Sequence, residues 1–257
     1  MNRAWIAAAM LASALAARAE DSSRKAAPSY SASDVVSSAN YASSALAPYS
    51  QATIFGKDLA FDTEQASGAV RTELAGARVL VSSVAAQLLS ASPGQIDFVV
   101  PSWLRPADVK IRVMRQGVTG PDVVVTLLDA APELFRDTSG YAAATHADGS
   151  LITADAPARA GEIITLYACG LGATSPDLPV LGAPAVAQLI QRFDDIRVLV
   201  NGAAVEQGNI TYAGVTPGAA GLYQVNVRLP EGADPDPEIR LAIGDRRSAE
   251  GLKLIFR

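Results

Sequence analysis

The fold of this chain is decided by the stretch SPGQIDFVVP at Ser92–Pro101, which returns near the C-terminus as PGAAGLYQVNVRLP at Pro217–Pro230. In each copy a glycine-bearing turn leads into a short run that alternates between apolar and polar residues and ends at proline. This alternation is typical of a strand with one buried face, and proline ends the strand because it has no N–H to donate to a neighbour. We expect each copy to be a core strand of a β-sandwich, with Ile96, Phe98 and Val100 on one face of the first.

Three further pairs of similar segments occur in the same order along the chain. They are Ile54–Leu59 with Leu166–Leu171, Arg78–Val81 with Arg197–Val200, and Ile111–Val113 with Ile239–Leu241. Each unit is longer than the period of solenoids or propellers, so a duplicated domain explains the repeat better than an array. The sequence therefore predicts an all-β fold with two tandem immunoglobulin-like β-sandwiches, the first over residues 34–129 and the second over 130–257.

Turn signals separate short strands along most of the chain, and no long amphipathic helix is indicated, which favours sandwiches. Asp148-Gly149 and Asn201-Gly202 predict tight hairpins, and Pro93-Gly94 predicts a turn with a positive φ at the glycine. Three segments are expected to lack strands. They are the loop Lys57–Gly76, the linker Ala130–Arg136, and the long loop Ala173–Asp195, with one helical turn around Ala185–Arg192.

The N-terminus has the pattern of a secretory signal over residues 1–19. Arg3 supplies a positive charge, Trp5–Ala17 is an apolar stretch too short to span a bilayer, and Ala17-Arg18-Ala19 fits a small-x-small cleavage site. An uncleaved N-terminal anchor is the alternative interpretation. Residues 20–33 are rich in Ser and Ala and are predicted to be a flexible leader. We therefore expect an exported protein, secreted, periplasmic or on the outer surface, with no membrane span after cleavage.

Composition excludes several classes of function. The chain has 257 residues and a formal net charge of −5, and it has no basic cluster that would favour binding to a nucleic acid backbone. Its one cysteine, Cys169, cannot form an intrachain disulfide and is interpreted as a buried apolar residue rather than a nucleophile. One Cys and one His cannot supply the usual zinc ligands, and no phosphate-binding glycine motif is present, so no cofactor is expected.

The long motif YAGVTPGAAGLYQVN at Tyr212–Asn226 resembles the uncharacterised C-terminal domain family of secreted acidobacterial (Solibacter-type) proteins. The segment Tyr167–Gly172 is similar to that family's Tyr-Ala-Thr-Gly-Leu-Gly element, with Cys169 at the threonine position. Ser92–Asp97 is similar to its Ser-Pro-x-Gln-Ile-Asn element, with Asp97 at the asparagine position. The resemblance covers nearly the whole mature chain and implies sandwiches of the IPT/TIG type and an exported location. It implies no activity, ligand or catalytic residue.

Candidate catalytic residues are few. The sole histidine, His146, lies with Asp148 at a predicted hairpin tip, and a solvated turn histidine is a better interpretation than a Ser-His-Asp site because no nucleophile motif accompanies it. Carboxylates for glycoside hydrolysis are available, but no pattern singles out a pair, so surface charge is the better reading of each. These carboxylates are Asp194, Asp195, Asp155 and Glu162. No catalytic, cofactor-binding or metal-binding residue is therefore assigned.

The acidic segment Asp234-Pro235-Asp236-Pro237-Glu238 admits two interpretations. Its alternate carboxylates have the ligand chemistry of a calcium loop, although their spacing matches no complete calcium motif. A rigid acidic turn that keeps a sheet edge solvated is the simpler alternative. Calcium binding at this loop stays open at the level of sequence.

These observations favour a non-enzymatic exported protein that works by binding, in adhesion, surface assembly or polysaccharide contact. Sandwiches bind through their end loops or strand edges. The apolar loop Ala173–Asp195 is the longest candidate surface, and it is expected either to cover the core or to meet a protein or polysaccharide partner. Two other functions remain open: a hydrolase, or an accessory part of one, acting on extracellular polysaccharide, and a structural spacer.

Overall fold

The structure is a computed structural model that describes residues 26–42, 45–68, 70–178 and 186–257. The predicted signal sequence at 1–19 lies outside these residues. Within the described residues the regular structure is β-strands and three short 3-10 turns, at Ala32–Asp34, Phe193–Asp195 and Gln207–Asn209. The fold is thus all-β, as predicted. No helix in this part of the chain has the length and apolarity that crossing a bilayer requires.

Strands up to Leu127 form the N-terminal half. They are β1 (Val35–Ser37), β2 (Gln51–Phe55), β3 (Glu64–Gln65), β4 (Ala77–Val81), β5 (Val84–Ala85), β6 (Gln87–Ala91), β7 (Gln95–Val99), β8 (Ala107–Arg115), β9 (Val118–Thr119) and β10 (Val123–Leu127). Strands from Glu133 onward form the C-terminal half. They are β11 (Glu133–Leu134), β12 (Ala144–His146), β13 (Ile163–Cys169), β14 (Thr174–Ser175), β15 (Leu189–Ile190), β16 (Ile196–Val200), β17 (Ala203–Ala204), β18 (Ile210–Val215), β19 (Tyr223–Arg228), β20 (Ile239–Ile243) and β21 (Arg246–Arg247).

Each half is an antiparallel sandwich of two sheets. In the N-terminal half the strand orders are β1-β2-β7-β6-β3 and β10-β8-β4-β5, and in the C-terminal half they are β11-β13-β19-β18-β15-β14 and β17-β16-β20-β21. Buried residues from both sheets of each half form one apolar cluster, and the two clusters are separate. This is the immunoglobulin-like architecture expected from the sequence. The division into two domains, with the boundary between residues 129 and 130, stays a prediction.

The sequence repeat corresponds to a repeat of strands. The segment Gln95–Val99 is β7, and the matching residues of its copy lie in β19. Strand β7 pairs with β2, in which Ile54–Leu59 begins, and β19 pairs with β13, in which Leu166–Leu171 begins. The repeated Arg-Val-Leu-Val segments are β4 and β16, and the remaining pair lies in β8 and β20, which are their hydrogen-bonded neighbours. All four pairs of similar segments therefore occupy corresponding places in the two sandwiches.

The Gln-x-Asx motif of the repeat forms a hydrogen-bonded ladder across each sheet. In the N-terminal half the carboxylate of Asp97 accepts hydrogen bonds from Thr53 at 2.7 Å, from Ser90 at 2.5 Å and from Gln95 at 2.9 Å. In the C-terminal half Asn226 Oδ1 accepts bonds from Thr165 and Gln224, both at 3.1 Å. The polar face of each central strand is thus satisfied within its own sheet, which gives these motif residues a structural role.

Ser29 and Tyr30 of the predicted leader contact the N-terminal sandwich, while the domain boundary at Asp34 stays a prediction. The side chain of Tyr30 is buried in the first core, and its hydroxyl donates to Pro121 O and accepts from Val113 N, both at 2.7 Å. The backbone of Ser29 pairs with Lys57. These contacts were missed because they join the leader to residues far along the chain, and its Ser- and Ala-rich composition gave no sign of them.

Several local predictions were wrong in detail. The expected loop at 57–76 contains β3, the expected linker at 130–136 contains β11, and the long loop contains β14 and β15. The helical turn of the long loop lies at Phe193–Asp195. It was predicted around Ala185–Arg192, of which the structure describes 186–192. Gly94 does not take a positive φ, whereas Gly149 and Gly202 in the predicted hairpins do. Two-residue strands are too short to leave a pattern in the sequence, since long-range pairing alone defines them.

Candidate functional site

The two halves are joined by a packed junction. Gln51 Nε2 donates to Ala220 O at 2.8 Å, and the ring of Tyr49 meets the ring of Tyr223 edge to face at 5.9 Å. A Cβ atom added to Gly221 would lie 2.8 Å from Gln51 Cγ and 3.1 Å from the side chain of Val99, so only glycine allows this approach. The repeated turn before β19 therefore contacts the N-terminal half.

Tyr223 anchors the junction from the C-terminal side. It is fully buried, and its hydroxyl donates to Gly172 O at 2.5 Å. Burial raises the pKa of Tyr223 well above its usual value, so the phenol stays neutral and remains a donor. Cys169 lies in the same region, with Sγ 3.2 Å from Ser37 Oγ, and burial raises the pKa of its thiol to about 12. The prediction that Cys169 is a buried residue is confirmed, and an un-ionised thiol is a poor nucleophile.

Beside this junction lies a cleft with a volume of about 240 Å³. We call it the junction cleft, and residues of both halves line it. They are Pro48, Tyr49, Ser102, Trp103, Leu104, Arg105, Pro106, Asp129, Gly172, Ala173, Thr174, Asp177, Leu178 and Gln191. One wall is therefore the loop between β7 and β8, and the other is the loop that begins after β13.

The first wall is held by its sequence, PSWLRP at 101–106. Prolines at both ends restrict the backbone, and Leu104 packs against the N-terminal core. The two neighbours of Leu104 remain outside: the Trp103 side chain is 37% exposed, and Arg105 is exposed as well. A rigid loop thus presents an indole ring and a guanidinium group to the cleft.

The second wall is fixed by hydrogen bonds. Gln191 Nε2 donates to Thr174 O at 3.0 Å and to Asp177 Oδ1 at 3.2 Å. Between the walls, Asp129 accepts a hydrogen bond from Arg192 Nη1 at 2.6 Å, and Arg192 also donates to Asp195 at 2.9 Å. These two carboxylates hold the pKa of Arg192 above its usual value, with the hydrogen bond to Asp195 as the largest cause.

The long loop both covers the core and lines the cleft. Ile190 is buried in the C-terminal core and Leu178 packs against it, which agrees with the expected covering role. Val186 and Leu189 are exposed. Residues 179–185, which complete the loop, lie outside the described part of the chain.

His146 is not a solvated turn residue, which corrects the sequence interpretation. Its Nδ1 lies 2.5 Å from Glu162 Oε1 and its Nε2 lies 3.1 Å from Ala156 O. Both ring nitrogens face acceptors, and the hydrogen bond to Glu162 is the main cause that raises the pKa of His146 above its usual value. Asp148 bonds Ser150 in the turn instead of the imidazole. In the described part of the chain the imidazole is therefore bonded to Glu162 and to Ala156 O, which is not the arrangement of a Ser-His-Asp site.

The other acidic candidates are dispersed. Asp195 is paired with Arg192 and Glu162 with His146, while Asp155 and Asp194 are exposed. In the acidic loop, Asp234 accepts from Asn201, Asp236 from Phe256 N and Arg257, and Glu238 from Gly251 N. Among the described residues no group of three His, Cys, Asp or Glu side chains has the arrangement of a metal site.

The residues of the junction cleft were missed at the level of sequence. The cleft joins positions near 49, 103, 129, 177 and 191, which are distant in the chain, and no motif connects them. One local signal was present. A tryptophan and an arginine between two closely spaced prolines, in a chain where only 6% of residues are aromatic, are unusual for a simple strand connection.

No family model matches this chain, and no curated protein does either. Among solved structures, it is similar to the surface glycan-binding protein PbSGBP-B of Prevotella bryantii, with 10% identity and a TM-score of 0.28, covering 88% of this chain and 41% of that one. It is also similar to SGBP-B of the Bacteroides ovatus mixed-linkage glucan utilization locus, solved with a mixed-linkage heptasaccharide. The identity is 10% and the TM-score 0.32, and the match covers 82% of this chain and 43% of that one. A third similar structure is that of the tandem Ig repeats of Dlar, with 11% identity and a TM-score of 0.23, and the match covers 90% of this chain and 95% of that one. The chain thus spans about two fifths of the length of the two glycan-binding proteins.

Proposed function

We propose that this chain is an exported, non-enzymatic binding protein that holds a polysaccharide in the junction cleft, at the cell surface or outside the cell. The observation that carries the proposal is the meeting of two aromatic side chains, Trp103 and Tyr49, with polar side chains in one concave site. Ligand sites are concave and combine an apolar lining with a few placed polar groups.

A sugar ring suits this chemistry. Its C–H faces are apolar and flat enough to lie on an aromatic ring, while its hydroxyl groups need donors and acceptors at the edge. Ser102, Thr174 and Gln191 line the cleft and supply such groups, and the indole N–H of Trp103 adds a donor. The loop that carries Trp103 is already held by Leu104 and its prolines, so little ordering is needed when a ligand binds.

Binding of polysaccharides by the mature chain tests the proposal. We expect at least one polysaccharide in a panel of plant and microbial polymers to retard the protein in affinity electrophoresis. Replacing Trp103→Ala should weaken that binding about tenfold or more, since a buried tryptophan contact is commonly worth more than 1 kcal/mol. The matched control is Tyr41→Ala, because Tyr41 is 57% exposed and lies outside the cleft. Equal binding by the Trp103 variant and wild type would remove the junction cleft as the site.

Two lining carboxylates favour one alternative function, hydrolysis of the bound polymer. Asp129 and Asp177 both line the cleft, as a glycoside hydrolase would require. In this protein Asp129 is committed to an ion pair with Arg192, and Asp177 accepts from Gln191. Release of reducing ends from the bound polysaccharide, abolished by Asp129→Asn or Asp177→Asn, would establish hydrolysis in place of simple binding.

A further inference from the structure

We propose that the ligand of the junction cleft is an acidic polysaccharide, one whose sugar rings carry carboxylate groups, and that Arg105 binds that carboxylate. This rests on the proposed function and adds the chemical class of the ligand. Trp103 would contact the face of the sugar ring while the neighbouring guanidinium takes its charge.

The charges of the cleft point to Arg105. Three charged side chains line it, namely those of Arg105, Asp129 and Asp177. Asp129 is paired at 2.6 Å with Arg192, which it shares with Asp195, and Asp177 takes a hydrogen bond from Gln191 but keeps its charge. Arg105 belongs to the first wall and its side chain is exposed. It makes no hydrogen bond or ion pair with any residue that the structure describes. It is the lining cation that remains available to an anionic ligand.

The position of Arg105 in the loop strengthens this inference. Leu104 fixes the loop to the N-terminal core, and the residues on its two sides, Trp103 and Arg105, both reach the cleft. A uronic acid has the matching arrangement, since its carboxylate is attached directly to the ring. A guanidinium also binds carboxylate through two parallel hydrogen bonds, which a hydroxyl group cannot accept in the same way.

Asp177 sets a limit on the affinity. Its charge lies in the lining of the same cleft and repels an anionic ligand, and the chain as a whole has a net charge of −5. Binding of an acidic polymer should therefore be weak and should weaken further as salt rises, because salt screens the attraction to Arg105. Removing the charge with Asp177→Asn should strengthen binding of the acidic ligand alone.

Oligogalacturonate and the same oligomer with its carboxylates methyl-esterified are a matched pair of probes, because esterification removes the charge and adds only one methyl group to each sugar. By calorimetry with the mature chain, we expect the free acid to bind at least about tenfold more tightly than the ester, as a charge-assisted bond requires. Arg105→Gln should abolish that preference, so that the variant binds the free acid no more tightly than the ester. The control Arg247→Gln removes an exposed arginine on β21, outside the cleft, and should preserve the preference.

The outcomes separate the two proposals. Binding of neutral saccharides that depends on Trp103, without preference for the acid, would overturn the acidic ligand and leave the binding function in place. A preference for the acid that survives Arg105→Gln would also overturn the assignment of Arg105. If sulfated dextran binds through Arg105 and oligogalacturonate does not, the carboxylate is the wrong anion. Absence of binding to any saccharide in the panel would contradict both proposals.

Discussion

The two halves share a strand plan but fill two corresponding positions with different residues. Asp58 in the N-terminal half corresponds to Gly170 in the C-terminal half, and both have a left-handed φ, 57° and 74°. Gly94 corresponds to Tyr223; the glycine is exposed, whereas the tyrosine is buried at the junction. At the first pair the left-handed backbone is thus common to both halves, and at both pairs the neighbouring segment decides which side chain fits.

Substitution at the left-handed position, Gly170 or Asp58, should give the largest difference between the halves in the free energy of unfolding. In Gly170→Ala the new Cβ would lie 1.9 Å from Ala131 O, a backbone atom of the residue whose N–H donates to Gly170 O at 2.8 Å. Together with the strain of a side chain at positive φ, we expect a loss of about 4 kcal/mol or failure to fold. Asp58→Gly should cost less, about 2 kcal/mol, since it retains the φ but removes a carboxylate 3.5 Å from the buried guanidinium of Arg115. Urea unfolding of both variants measures the difference, and similar losses would show that the two positions are not distinguished by their neighbours.

The second-largest difference in stability is expected between the turns that precede β7 and β19. Gly221→Ala places a side chain at a φ of 73° against Gln51 and Val99, and we expect a loss of about 2 kcal/mol. Gly94→Ala meets only Gly56 O at 3.9 Å, and its φ is not left-handed, so stability should change by about 0.5 kcal/mol or less. The measurement is again the urea midpoint. A Gly221 variant as stable as the Gly94 variant would mean that the halves do not pack as closely as the contact with Val99 requires.

Alternation of apolar and polar residues was enough to predict the central strands. In β7 Ile96 and Phe98 are buried and Gln95 and Asp97 are half-buried, and in β8 burial alternates from Val109 onward, as the sequence indicates. The repeat predicted the corresponding strands of the other half. The burial of Tyr30 and the pairing of β11 were not predictable in the same way. Each depends on a partner far along the chain, and local pattern carries no information about which distant segment will be adjacent.

The candidate site was less accessible to sequence reasoning than the fold. The search for reactive residues led to His146 and the acidic loop, whose polar groups the structure shows bonded to their own neighbours. Trp103 and Arg105 form a site only because the C-terminal half packs beside them. Binding clefts between packed units arise from tertiary geometry, so a sequence can supply their side chains without showing that they meet.

The smallest predicted effect is a pH dependence that belongs to the C-terminal half, where His146 is held by Glu162. The folded pKa of His146 is raised above 6.5 by this hydrogen bond, so its stabilisation is fully present below about pH 6.5 and is lost as the pH rises through the folded pKa. The pair is partly solvated, which limits its contribution to less than about 1 kcal/mol. The melting temperature of wild type minus that of His146→Gln should therefore be positive at pH 5.5 and shrink toward pH 9. A difference that stays constant or grows with pH would show that the imidazole is not protonated against Glu162, and Glu162→Gln, which removes the charge and retains an acceptor, should flatten the same profile.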